Sequence, residues 1–299
     1  MLALPTLLLV LLAQQTAFPP PATPGPAPEK GSALAGAAGL EVLWARTLSE
    51  ATEGARRLKD GRILIFFVEP DCGQCQRMEA LVAPSTSFYA FTRDKVPLYE
   101  DLSTPEGADL ARRLRVRGAP AWVLVTPDLL ESGRQEGSTT QQGWVNAFIE
   151  VERGWARYRM LLDAESAEPG NLQVVFDVAR QLYQRGGGTK AEPRFRRLAG
   201  DAKAPAVIRE QSLGYLASLE MESRRFDDAV AHLDTLIATA HDPALKQRAE
   251  LRRADVEIAR GRKDLAAWRL KEFLKEHPDS PLAAEAKALL DALQGKAQS

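Results

Sequence analysis

The residues able to do chemistry in this chain are concentrated in one tetrapeptide. Cys72 and Cys75 enclose Gly73 and Gln74, and no other cysteine occurs among the 299 residues. Two thiols at this spacing can cycle between dithiol and disulfide, can contribute to a metal site, or can cross-link the chain. As a staple the pair is poor, because so short a loop removes little entropy from the unfolded chain. A protein that used disulfides for stability would also scatter its cysteines over distant segments. As half of a zinc site the pair lacks partners, since the histidines are His232, His241 and His277, all in the distal region. Thiol–disulfide exchange is the economical reading, with no metal and no organic cofactor, because the electrons move through the dithiol itself.

Exchange requires one sulfur presented as a thiolate. Before the pair, Arg62 to Val68 reads Arg-Ile-Leu-Ile-Phe-Phe-Val, a run that fits a strand covered on both faces. Glu69-Pro70-Asp71 breaks it, and Gln76 to Val82 continues at helical spacing. Cys72 therefore falls at the first turn of a helix, where free N–H groups and the positive end of the dipole stabilise a thiolate. Cys75 lies one turn on and can attack a mixed disulfide formed at Cys72. Cys72 is the expected nucleophile and Cys75 the resolving thiol. Asp71 is expected to cap the helix.

The surrounding elements must hold this strand and helix together. Glu41 to Lys59 suggests a short strand and an amphipathic helix, and Lys95–Asp101 a second strand. Glu106–Leu114 reads as a helix, Ala121–Val125 as a third apolar strand, residues 131–140 as a last strand, and Gln141 to about Asp163 as a closing helix. With its Cys-Gly-Gln-Cys motif and Val116-Arg117-Gly118-Ala119-Pro120 before a strand, the segment from 40 to about 155 resembles the thioredoxin-like superfamily. The resemblance implies an α/β thioredoxin-like domain over residues 40–163. It also implies a cis Pro120 beside the disulfide, and an Ala119 whose backbone groups receive an extended substrate. Three positions depart from the family. Asp71 stands where thioredoxin has Trp, and Gly73-Gln74 replaces Gly-Pro. Phe66 occupies the position of thioredoxin's buried acid, so that proton relay is expected to be absent.

Residues 165–299 carry little strand signal. Helical stretches are expected over roughly 171–184, 190–199, 205–222, 226–239, 244–260, 264–276 and 281–293. Ala217, Ala229, Leu233 and Leu236 recur as Ala254, Ala266, Leu270 and Phe273, each 37 positions later. These hairpins resemble degenerate tetratricopeptide repeats, which implies an all-α helical-hairpin repeat domain with a groove for a partner protein.

The N-terminus has a different character. Residues 1–17 hold an apolar run, Leu2 to Ala13, of signal-peptide length rather than the roughly 20 residues a membrane span needs. They read as a signal peptide or N-terminal hydrophobic segment, and membrane contact is expected only through it, if it is retained. Residues 18–39 are a Pro/Ala/Gly-rich linker. A net charge of −1 gives no electrostatic reason for nucleic acid as a partner. The expectation is an exported, extracytoplasmic thiol–disulfide oxidoreductase acting on protein thiols and disulfides. The alternative is a non-catalytic binding or assembly protein that uses a thioredoxin scaffold and the helical module.

Overall fold

A computed structural model describes residues 33–35, 41–59 and 61–295. The apolar segment 1–17 lies outside them, as does all of the 18–39 linker except three residues. Those three form β1 (Ala33–Ala35), which pairs antiparallel with β2 (Glu41–Leu43). The stretch expected as a spacer is thus interrupted by a strand. No proline falls between Glu29 and Leu43, so both strands have every N–H to donate to the ladder.

Helix α1 (Leu48–Arg57) follows, capped by the Thr47 hydroxyl, and leads into β3 (Arg62–Val68). Then come α2 (Gly73–Val82), α3 (Thr86–Thr92), β4 (Lys95–Asp101) and α4 (Pro105–Arg113). Strands β5 (Ala121–Val125) and β6 (Glu131–Glu136) precede the long helix α5 (Gln141–Ala167). The sheet runs β4-β3-β5-β6, with β4 parallel to β3 and the other pairs antiparallel. All seven residues of β3 are buried, as a central strand requires.

Alternation along the strands divides the core. Leu64, Phe66 and Val68 face an aromatic layer with Trp44, Phe88, Trp122, Trp144 and Phe148, beneath α2 and α5. Ile63, Ile65 and Phe67 face the opposite layer, packed by Ala51 and Ala55 of α1 and Leu110 of α4. Gly133 lets α5 lie close on β6, since a Cβ there would stand 2.6 Å from a Val151 methyl. Helix α3 was not legible in the sequence. Its seven residues are too few for a periodic stripe, and it is fixed by the Ser85 cap and by burial of Phe88 and Thr92.

Behind the sheet come α6 (Leu172–Gln184), α7 (Gly188–Gly200), α8 (Ala206–Glu222) and α9 (Phe226–Thr239). Helices α10 (Pro243–Ala259), α11 (Lys263–Glu276) and α12 (Ala283–Leu293) complete this mostly helical region, each helix packing on the next. All eight positions of the 37-residue series, from Ala217 to Phe273, are buried. The turns repeat as well. Gly186, Arg224 and Gly261 each have positive φ, and each is followed by an N–H that reaches the carbonyl five residues back: Gly187 to Leu182, Arg225 to Glu220 and Arg262 to Glu257.

The closing helix is longer than expected and belongs to both parts. Trp144 and Phe148 sit in the aromatic layer of the sheet, whereas Trp155 and Tyr158 pack with α6, α7 and α8. Arg185 reinforces the junction. Its guanidinium donates to the carbonyls of Glu131 at 3.0 Å, Ser132 at 2.9 Å and Gly154 at 3.3 Å. It also lies over the Trp155 and Tyr158 rings.

Candidate active site

Helix α2 begins at Gly73 because Cys72, at φ −76° and ψ 90°, is its non-helical cap residue. Cys72 and Cys75 are joined as a disulfide with their Cα atoms 5.2 Å apart. The Cys75 N–H points at the Cys72 sulfur from 3.0 Å, which is the geometry that stabilises a thiolate when the bond opens. The two sulfurs differ in access. Cys72 is half-buried, whereas Cys75 is 3% exposed and packs with Met78 and Val82. A second chain can reach the first and not the second.

Asp71 does not cap the helix. It is exposed and adopts φ +57°, so it makes the left-handed turn between β3 and α2, a conformation Asp tolerates better than most residues. The cap itself is the sulfur of Cys72.

Inward from the disulfide lies a cavity of about 330 Å³, lined by Val68, Cys72, Cys75, Glu79, Tyr99 and Asp101 among others. Glu79 stands one helical turn after Cys75. Burial pushes its carboxyl up to about 7, and its Oε1 has no hydrogen-bond partner. The Tyr99 hydroxyl is pushed up to about 12, first by burial and then by the charges of Glu79 and Asp101. No acid lies on strand β3 at this site, because Phe66 fills that position. Phe66 is indeed fully buried, stacked on Trp122 at 3.9 Å. The acid comes instead from the helix. The available signal was a glutamate four residues after Cys75, on a stripe that is otherwise apolar at Cys75, Met78 and Val82.

The Ala119–Pro120 peptide is cis. Pro120 is buried and its carbonyl accepts the Gly137 N–H at 2.8 Å. Ala119 is partly exposed and packs against the same cluster as Cys72 and Cys75. Among the described residues its own N–H and C=O take no partner, so both are open to an extended chain. The loop after β6 steadies α2 from the other side: Ser138 Oγ donates to Gln74 Oε1 at 3.1 Å, and the Thr139 N–H meets the Met78 sulfur at 3.2 Å.

The histidines are remote and structural. His232 of α9 pairs with Glu220 of α8 at 2.7 Å, His241 of the α9–α10 loop with Glu210 of α8 at 2.6 Å, and His277, just after α11, with Glu250 of α10 at 2.8 Å. Among the described residues no group of three or more His, Cys, Asp or Glu side chains is arranged to hold a metal ion.

No family model matches the chain, and neither does any curated protein. Among solved structures, a thioredoxin from Thermus thermophilus is 28% identical, over 35% of this chain and 81% of that one, with a TM-score of 0.31. A DsbH oxidoreductase is 21% identical, over 38% of this chain and 85% of that one, also with a TM-score of 0.31. Both similarities lie in the N-terminal part. What the geometry itself establishes is a small mixed sheet carrying a disulfide of Cys-x-x-Cys spacing at the start of a helix, followed by a mostly helical region.

Proposed function

We propose that the chain is an extracytoplasmic thiol–disulfide oxidoreductase on a thioredoxin-like sheet, acting on protein thiols and disulfides through Cys72 and Cys75. One observation carries the reading: a helix-capping, half-buried sulfur is bonded to a buried one three residues on. In the reducing direction the Cys72 thiolate attacks a substrate disulfide, and a Cys72–substrate bond forms as the substrate's own S–S bond breaks. The Cys75 thiol then gives its proton to Glu79 and attacks the Cys72 sulfur. The substrate leaves as a dithiol, and the protein is left with the Cys72–Cys75 disulfide. The oxidising direction runs the same steps backwards. Ala119 and Pro120 hold the extended substrate chain beside the disulfide. The degenerate tetratricopeptide-like helices recruit a partner protein, and the N-terminal segment serves export.

The deciding measurement is a titration of residues 18–299, which keep β1, against glutathione buffers. A reversible disulfide with a potential near about −270 mV marks a reductase, and one near about −120 mV an oxidant. Cys75→Ala should accumulate a mixed disulfide with the client in cells. A pair that fails to cycle at any poise removes the enzyme reading in favour of an assembly protein.

A further inference from the structure

Of the cavities outside the cysteine site, one combines unpaired charge with an apolar floor. It lies between α8 and α10, has a volume of about 330 Å³, and has Leu233, Leu236 and Leu245 along its base. Arg180, Arg248 and Arg252 stand on its walls. Gln211 and Tyr215 of α8 also line it, and Arg248 and Arg252 of α10 stand 37 positions after them, so the walls are the same face of successive hairpins.

The charges there are only partly balanced from within. Arg248 is exposed and has no carboxylate partner among the described residues. Arg252 donates to the Ser218 hydroxyl at 3.1 Å and has no carboxylate hydrogen-bond partner among the described residues. Arg180 donates to Asp177 at 2.9 Å but keeps a buried Nε without a partner. Asp255 attracts Arg252, but burial holds its carboxyl above the ordinary range. Arg248 and Arg252 are also four residues apart on one helix, an arrangement in which like charges repel. A bound carboxylate between the two guanidiniums would relieve that repulsion further.

We propose that this cleft receives an acidic peptide segment of a partner protein, with carboxylates on the arginines and an aliphatic side chain on the leucine floor. The proposal rests on the recruiting role assigned above to the helical array, and it names the chemistry of the partner.

The probe is a fluorescein-labelled decapeptide alternating Asp and Leu, titrated against the oxidised full chain and followed by anisotropy. It should bind, while an Asp/Ser peptide and a Lys/Leu peptide should bind at least about tenfold more weakly. Arg248→Glu with Arg252→Glu should lose about tenfold or more for the acidic peptide and gain the Lys/Leu peptide. Should charge reversal lower the helical signal, Arg248→Gln is read instead, with a severalfold loss expected. Equal binding of the acidic and basic peptides, no binding of either, or reversal without effect overturns the proposal. Preferential capture of an RNA decamer or of anionic lipid vesicles by the same arginines overturns it too. Anisotropy reports the cleft and glutathione titration reports Cys72, so failure of one reading is distinguishable from failure of the other.

Discussion

At the scale of single residues, Glu79 is the group whose chemistry the surroundings alter most clearly. Its carboxyl titrates near about 7 in the folded chain against an ordinary 4.5. The folded state therefore holds a proton that the unfolded state has released throughout that window, and stability falls as pH rises through it. Glu79→Gln removes the dependence. Urea denaturation should show the variant gaining about 1–2 kcal/mol over the parent near pH 8 and nothing near pH 4, a figure discounted for the partial exposure of the side chain. In turnover the same change should slow resolution by Cys75, so that the Cys72–substrate disulfide accumulates under quench. The cysteine pair itself was fully legible, because its spacing and solitude are properties of the sequence. Glu79 carries no such signature, because the cavity is open to both β3 and α2 and a glutamate on a helix is most often solvated.

Among elements, α5 is held to the sheet by charge as well as by its aromatic face. Arg62, at the start of β3, donates twice to Glu152 at 2.9 and 2.7 Å, and Lys95, at the start of β4, lies 3.3 Å from the same carboxylate. The Arg62 and Lys95 side chains are only 4% and 5% exposed. Glu152→Ala leaves the buried Arg62 guanidinium without its hydrogen-bonded carboxylate and should cost about 3 kcal/mol by chemical denaturation. The sequence could not show this pair, since 90 positions separate its members. The strands β3, β4 and β5 and most helix limits were readable, because burial imposes a period on residues close in sequence. Both elements that escaped, β1 and α3, are short and are fixed by pairing or by a single buried ring.

For the whole molecule, the question is how an array of helices is fastened to a sheet. The 37-residue repeat was visible because it is written in buried alanines and leucines. The fastening was not, because Arg185 acts on main-chain carbonyls of β6 and α5, which carry no sequence signature. Burial draws the Arg185 guanidinium below its ordinary value, consistent with a cation held among carbonyls and rings. Arg185→Ala should loosen the junction and split a single thermal transition into two, resolved by calorimetry, with the sheet and the array unfolding separately.

The recurring turn has a consequence for reach. Gly186, Arg224 and Gly261 make the same left-handed corner, and after each corner the chain starts its next helix in the same way. A structure built by repeating one corner is a ruler with equal divisions. Its far end can be moved outward or inward by one whole hairpin without disturbing the sulfur pair at the other end. The distance of that far end from Cys72 is then set by arithmetic, as a count of hairpins.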